Sequence, residues 1–247
     1  MYQRPLRFNL LPDVIKNLLI INGLFFLATI VLGSTFGLDL ARMLGVYLPN
    51  SDNFQPFQLV THMFMHANFS HILFNMFALW MFGYTLENVW GSKRFLIYYL
   101  VTGLGAALLH LGVNYWEFLS VKDALNEEQL RIVLNEGQNL LYQNRNYIDE
   151  NMARANLLLN TPTVGASGAV FGVLLAFGMM FPNTYIYLYF AIPIKAKYFV
   201  AIYGALELYS GIMNDPDSNV AHFAHLGGML FGYLLIRYWR RSGTSHY

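Results

Sequence analysis

Apolar residues run along this chain in long blocks, not at the alternating or half-helical spacing of a soluble fold. A hydrocarbon core about 30 Å thick needs roughly 20 mostly apolar helical residues to cross it. Residues 18–36, 69–86, 95–116 and 164–182 contain no Asp, Glu, Lys or Arg and read as spans. Two weaker blocks follow: 198–213 is short and carries Glu207, and 220–236 holds His222 and His225 among Leu, Met, Phe and Gly. The pattern predicts an all-α membrane protein of six spans forming one membrane-embedded domain over residues 1–247.

Basic residues decide for six spans over four, because short cytoplasmic loops collect Lys and Arg. With the N-terminus inside, the inner segments hold Arg4, Arg7, Lys16, Lys93, Arg94, Lys195, Lys197, Arg237, Arg240 and Arg241, ten of the 15 bases. The short outer turn at 214–219 has Asp215 and Asp217 and no base. Both termini are therefore expected in the cytoplasm, and a bacterial inner membrane is the expected location. The stretch 117–163 is the soluble-looking part, with seven acids and four bases. Leu125, Leu130, Leu134, Leu140 and Leu141 recur near helical spacing. An external helical hairpin inserted between spans three and four is expected, packing on the membrane surface or docking a substrate.

Composition narrows the function classes. Charged residues make up 12% of the chain against 56% hydrophobic, about half the charge of an ordinary soluble domain. A net charge of +1 offers no field for phosphate, so no nucleic-acid partner is expected. The absence of cysteine removes disulfides, Cys-based zinc sites and thiol nucleophiles together.

Polar residues inside spans are costly and mark function. His62, His66 and His71 gather at the entrance to the second span, and His222 and His225 at the start of the sixth. The fourth span opens, on the same outer side, with Gly165-Ala166-Ser167-Gly168. At about 1.5 Å per residue, Ser167 and His225 are expected at similar shallow depths. His71 and Asn75, four apart, share one helical face. These residue types fit acyl transfer. Ser167 is the candidate nucleophile and His225 the general base. His71, Asn75 and the Ser167 backbone N–H are the candidate oxyanion donors. No Asp or Glu stands near His225 in the sequence, and a third ionised group in a membrane adds desolvation cost, so a dyad is expected. Gly168-x-x-x-Gly172 and Gly228-x-x-x-Gly232 would bring the serine and histidine helices together. Phe171, one turn below Ser167, is placed to pack on the imidazole.

From about Phe57 to Trp239, outside the insertion, the chain resembles the rhomboid intramembrane serine proteases. The resemblance rests on Gly165-Ala166-Ser167-Gly168, on Ala224-His225-Leu226-Gly227-Gly228 with Gly232, and on His66 with His71-Ile72-Leu73-Phe74-Asn75. It implies a six-helix rhomboid-like bundle that cleaves membrane-anchored protein substrates within the lipid bilayer. Ser167 and His225 would be catalytic, His71 and Asn75 would form the oxyanion hole, and no cofactor or metal would be needed. It also implies that the loop between the first two spans lies partly in the membrane and that the fifth helix, near Glu207, acts as a lateral gate. Two positions depart from the family pattern. Phe57-Gln58 stands where many relatives have Trp-Arg, and Phe171 where Tyr is frequent.

Bland readings stand beside these. His62, His66, His110 and His222 are read as structural, and Glu207 as a hydrogen-bonded acid before a substrate contact. His62-x-x-x-His66 and His222-x-x-His225 leave a metal transporter or metalloprotease open, although His-Glu-x-x-His is missing and no carboxylate is expected beside the histidines inside the spans. A rhomboid-like protein that binds helices without cutting them is the other alternative.

Overall fold

Each apolar block folds as helix because, away from water, a backbone must satisfy its own polar groups. The computed structural model describes residues 9–188, 191–213 and 220–243. Arg4, Arg7 and the turn at 214–219 with Asp215 and Asp217 lie outside the described residues. In order, the elements are α1 (Asp13–Phe36), α2 (Leu40–Leu44), α3 (Gln58–Thr61) running into a 3-10 turn (His62–Phe64), α4 (Phe69–Trp90) and α5 (Ser92–Asp123). Then come α6 (Glu127–Tyr142), α7 (Glu150–Asn160), α8 (Ser167–Met180), β1 (Tyr185–Leu188), β2 (Ile192–Lys195), α9 (Ala196–Met213) and α10 (His222–Arg241).

Helices α1, α4 and α5 are long and apolar enough to cross a membrane, and α8 is a shorter apolar helix of 14 residues. The outer faces of α1, α4, α9 and α10 carry Leu24, Phe74, Ile212 and Tyr238, each at least 60% exposed, a surface that suits lipid and not water. Two boundaries differ from the sequence expectation for local reasons. The fourth helix starts at Ser167, not Val164, because Thr163 pairs with Val46 in an isolated β-bridge and Gly165 takes a φ of 134°. The antiparallel hairpin of β1 and β2, with Tyr185 opposite Lys195, was not anticipated in an all-α reading. Helix α5 runs 32 residues, about 48 Å, so the start of the 117–163 stretch is its own continuation.

Two buried acids mark helix junctions. Glu87, at the end of α4, accepts the Val14 and Ile15 N–H groups of the first turn of α1 at 2.9 Å each, and the Ser92 hydroxyl at 2.6 Å. A carboxylate tolerates burial when its lone pairs meet donors and a helix N-terminus faces it. The region 127–160 has a small core of its own, in which Val133, Ala155 and Leu159 pack beneath Val46 and Leu48. There Gly137 gives the Asn156 side chain room to donate to the Gly137 carbonyl at 3.0 Å.

Helix α8 is the hub, packed by α4, α5, α9 and α10. A Cβ built on Gly228 of α10 would overlap the carbonyl oxygen of Gly168 on α8, so these backbones touch. Gly168 faces Ala106 and Gly172 faces Thr102, both on α5, and the Tyr98 hydroxyl donates to the Gly172 carbonyl at 2.8 Å. Gly232 likewise faces Tyr98. Small residues on three helices thus let the backbones close. Gly228→Val should lower thermal stability in detergent by about 3 kcal/mol or prevent folding, since rigid backbone meets the new side chain. Gly23→Ala, with nothing within 4 Å of the new Cβ, should be neutral in the same melt; equal melting of both variants would refute the close-packing account.

Candidate active site

Three chain segments meet at the first turns of α8 and α10. Ser167 is the first residue of α8, where the leading N–H groups of a helix have no intrahelical partner and carry the positive end of the dipole. The bend before it is held from two sides. The Gly165 N–H donates to the His62 carbonyl at 2.9 Å, and the Thr163 hydroxyl lies 3.0 Å from His110 Nε2. His62 is held in turn by its Nδ1, 2.9 Å from the Gln58 carbonyl. Gln58 is almost fully buried, donating to the Met43 and Asn53 carbonyls at 3.2 and 3.0 Å and accepting from the Gln55 N–H at 2.9 Å. At this position the glutamine knits the loop ahead of α4 to itself.

His71 reaches the same place from the first turn of α4. Its Nδ1 lies 3.4 Å from the Ala67 N–H, which favours a proton on Nε2. A Cβ on Gly165 would sit 2.9 Å from His71 Nε2 and 3.5 Å from Ser167 Oγ, so the imidazole and the hydroxyl flank one bare Cα. Asn75, one turn on, donates one amide hydrogen to the His71 carbonyl at 2.9 Å and keeps the other. His66 lies edge-on to His71, ring centroids 5.1 Å apart, and neither of its ring nitrogens is hydrogen-bonded among the described residues. Burial pulls the His66 imidazole down to about 4, so it is neutral at physiological pH.

His225 enters from the first turn of α10 and is buried. Phe171 lies face to face with it, centroids 4.0 Å apart and planes within 5°. Tyr203 of α9 continues the stack on the far side of Phe171 at 5.2 Å. The ring is also held in its own plane, by an acid that its sequence neighbourhood did not reveal. Glu207 Oε2 lies 2.8 Å from His225 Nδ1 and 2.7 Å from His222 Nδ1. Glu207 is 15 and 18 residues away in sequence, so only the packing of α9 on α10 brings the groups together. Its one sequence signal was being the lone acid in an apolar block. The same three groups offer metal-ligand atoms within 4.8 Å of one another, which corrects the expectation that no carboxylate neighbours these histidines.

Ser167, His71, Asn75, Phe171, His222 and His225 all line one cavity of about 2220 Å³. Among the described residues no hydrogen bond joins Ser167 Oγ to His225, as is common before substrate tightens a site. With Nδ1 engaged by Glu207, the Nε2 of His225 makes no hydrogen bond among the described residues. The cavity runs outward past Asn114 and Glu117 of α5 to Asn151 and Arg154 of α7, so the 117–163 stretch forms part of its wall. It runs inward between α4 and α9 to the hairpin at Thr184–Leu188.

A protein-family model described as the Rhomboid domain matches residues 53–122 and 132–242. The chain belongs to the rhomboid family. Most of the stretch expected as an insertion falls inside this rhomboid match, leaving only 123–131 out. The chain is 26% identical over 221 residues to RHOMBOID-like protein 12, mitochondrial, of Arabidopsis thaliana, covering 87% of this chain and 55% of that protein. It is 27% identical over 171 residues to Rhomboid protein 1, mitochondrial, of Saccharomyces cerevisiae, covering 69% and 38%. It is 26% identical over 177 residues to Rhomboid protease AarA of Providencia stuartii, covering 70% and 52%. The chain thus spans about half the length of the rhomboid relatives it matches. It is an integral membrane protein, but the mitochondrial names conflict with the expected bacterial inner membrane, and that expectation is not carried further.

Gly165→Ala should disturb this site first, because a side chain at φ 134° is strained and its Cβ would press on His71. A loss of about 1–3 kcal/mol in thermal stability is expected. An unchanged melting curve would show that the bend and His71 are not locked together.

Proposed function

We propose that this rhomboid is an intramembrane serine endopeptidase acting on membrane-anchored protein substrates. The observation that carries the reading is a serine at a helix N-terminus sharing a cavity with a histidine whose Nδ1 is engaged and whose Nε2 is left over. In this reading α1, α4, α5, α8, α9 and α10 cross the bilayer. Helix α8 is about 21 Å long, shorter than the hydrocarbon core, so Ser167 sits recessed below the surface on the side that carries α6 and α7.

Ser167 Oγ attacks the scissile carbonyl while His225 Nε2 takes its proton. The tetrahedral oxyanion meets the Ser167 N–H, the His71 Nε2–H and the free Asn75 amide hydrogen, donors that stabilise charge most where water is scarce. His225 then returns the proton to the departing amine as the C–N bond breaks, leaving an acyl-Ser167 that water hydrolyses by the same steps. The opening between α4 and α9 suits a substrate helix arriving from lipid, and the cavity's outward arm suits water and an unwound segment. A metal-dependent hydrolase is the second reading, favoured only by the convergence of Glu207, His222 and His225.

Purified protein in proteoliposomes should cleave a single-span substrate near the boundary on the Ser167 side. Ser167→Ala should lower cleavage at least about 10³-fold and abolish fluorophosphonate labelling while the protein stays folded. Undiminished cleavage by that variant would remove the serine mechanism. Loss of activity to a chelator, restored by zinc, would transfer the reading to the metal.

A further inference from the structure

We infer that Glu207 is the positioning acid of this site, holding His225 in the tautomer and orientation that serine chemistry needs. This rests on the reading of Ser167 as nucleophile and His225 as base. Past Lys197 helix α9 is mostly apolar and largely exposed, with Leu206 and Tyr209 more than half exposed on either side of Glu207, yet Glu207, its one acid, is 7% exposed. One of its oxygens accepts the Nδ1–H of His225 at 2.8 Å and the Nδ1–H of His222 at 2.7 Å. A proton held on Nδ1 leaves the Nε2 lone pair on the opposite edge of the ring as the basic position. When Nε2 takes the serine proton, the ionised carboxylate faces the new imidazolium and remains ionised itself.

Helix α9 restrains the ring in a second direction. Tyr203, four residues before Glu207 and on the same helical face, closes the stack that runs through Phe171 to His225. Glu207 fixes the imidazole within its plane, and the Phe171–Tyr203 pair fixes it perpendicular to that plane. Both restraints reach His225 from α9, so a displacement of α9 from α10 releases the base together with the cavity wall. His222 shares the same oxygen, taking its second lone pair, and ties the first turn of α10 to α9.

The test uses the whole 247-residue chain in proteoliposomes with a single-span substrate, comparing Glu207→Gln, Glu207→Asp, His222→Phe and Ser167→Ala. Glu207→Gln should lower kcat by roughly 10²- to 10⁴-fold with KM within about threefold, the pattern of an interaction made in the transition state. Glu207→Asp should recover part of that loss, and His222→Phe, which spares the His225 bond, should lose less than tenfold. Low-field proton NMR gives a readout independent of turnover. Two low-field resonances from carboxylate-paired ring N–H groups are expected in wild type and in Ser167→Ala, one in His222→Phe and neither at that shift in Glu207→Gln. A Glu207→Gln enzyme within threefold of wild-type kcat, beside an inactive Ser167→Ala, overturns this inference alone. A Glu207→Asp enzyme no better than a folded Glu207→Gln also overturns it. Normal cleavage by Ser167→Ala overturns the serine reading and this inference with it.

Discussion

The contact between the backbones of α8 and α10 at Gly168 and Gly228 is the constraint on which the rest of the structure depends. With no side chain between them, the two helices approach until a glycine Cα meets a carbonyl oxygen, and their first turns are brought level. Ser167 and His225 stand on those first turns. A methyl group at Gly228 would meet the Gly168 carbonyl and push these two helices apart, while one at Gly168 would meet Ala106 of α5. Burial of apolar area does little to join helices in lipid, so the close fit of small residues carries the association.

Most polar groups around that contact follow one rule, that a buried charge or ring nitrogen persists where a partner answers it, and His66 is an exception among the described residues. Glu87 answers the bare N–H groups that open α1, and Glu207 answers two imidazoles at the opening of α10. Both acids tie one helix to another at an end, where unpaired backbone dipoles or rings collect. His62, Gln58 and His110 perform the same service for the bend before Ser167. The bend therefore reaches the serine already shaped, and hydrogen bonds and ring contacts orient the groups around it.

Much of this was legible in the chain. The apolar blocks at 18–36, 69–86 and 95–116 became α1, α4 and α5, because length and hydropathy are local properties. The Gly-x-x-x-Gly spacing and the one-turn offset of Phe171 from Ser167 announced contacts that exist, since helical geometry converts spacing into direction. Less legible were the start of the fourth helix, displaced by a β-bridge to Val46 more than a hundred residues earlier, and the pairing of β1 with β2. The 117–163 stretch read as an external appendage, whereas its helix α7 walls the cavity.

What the sequence determined by itself was the membrane character, the helical blocks and the identity of the serine, histidine and amide side chains, all of which follow from composition and from spacing within one helix. Only the tertiary structure decided the environment of His225. Its neighbours in the chain are Ala, Leu and Gly, and its partner lies 18 residues back on another helix. Sequence distance carries no information about which faces of two helices meet. That depends on where small residues let backbones close, and here the closure places the lone acid of α9 beside two rings that had looked unpaired.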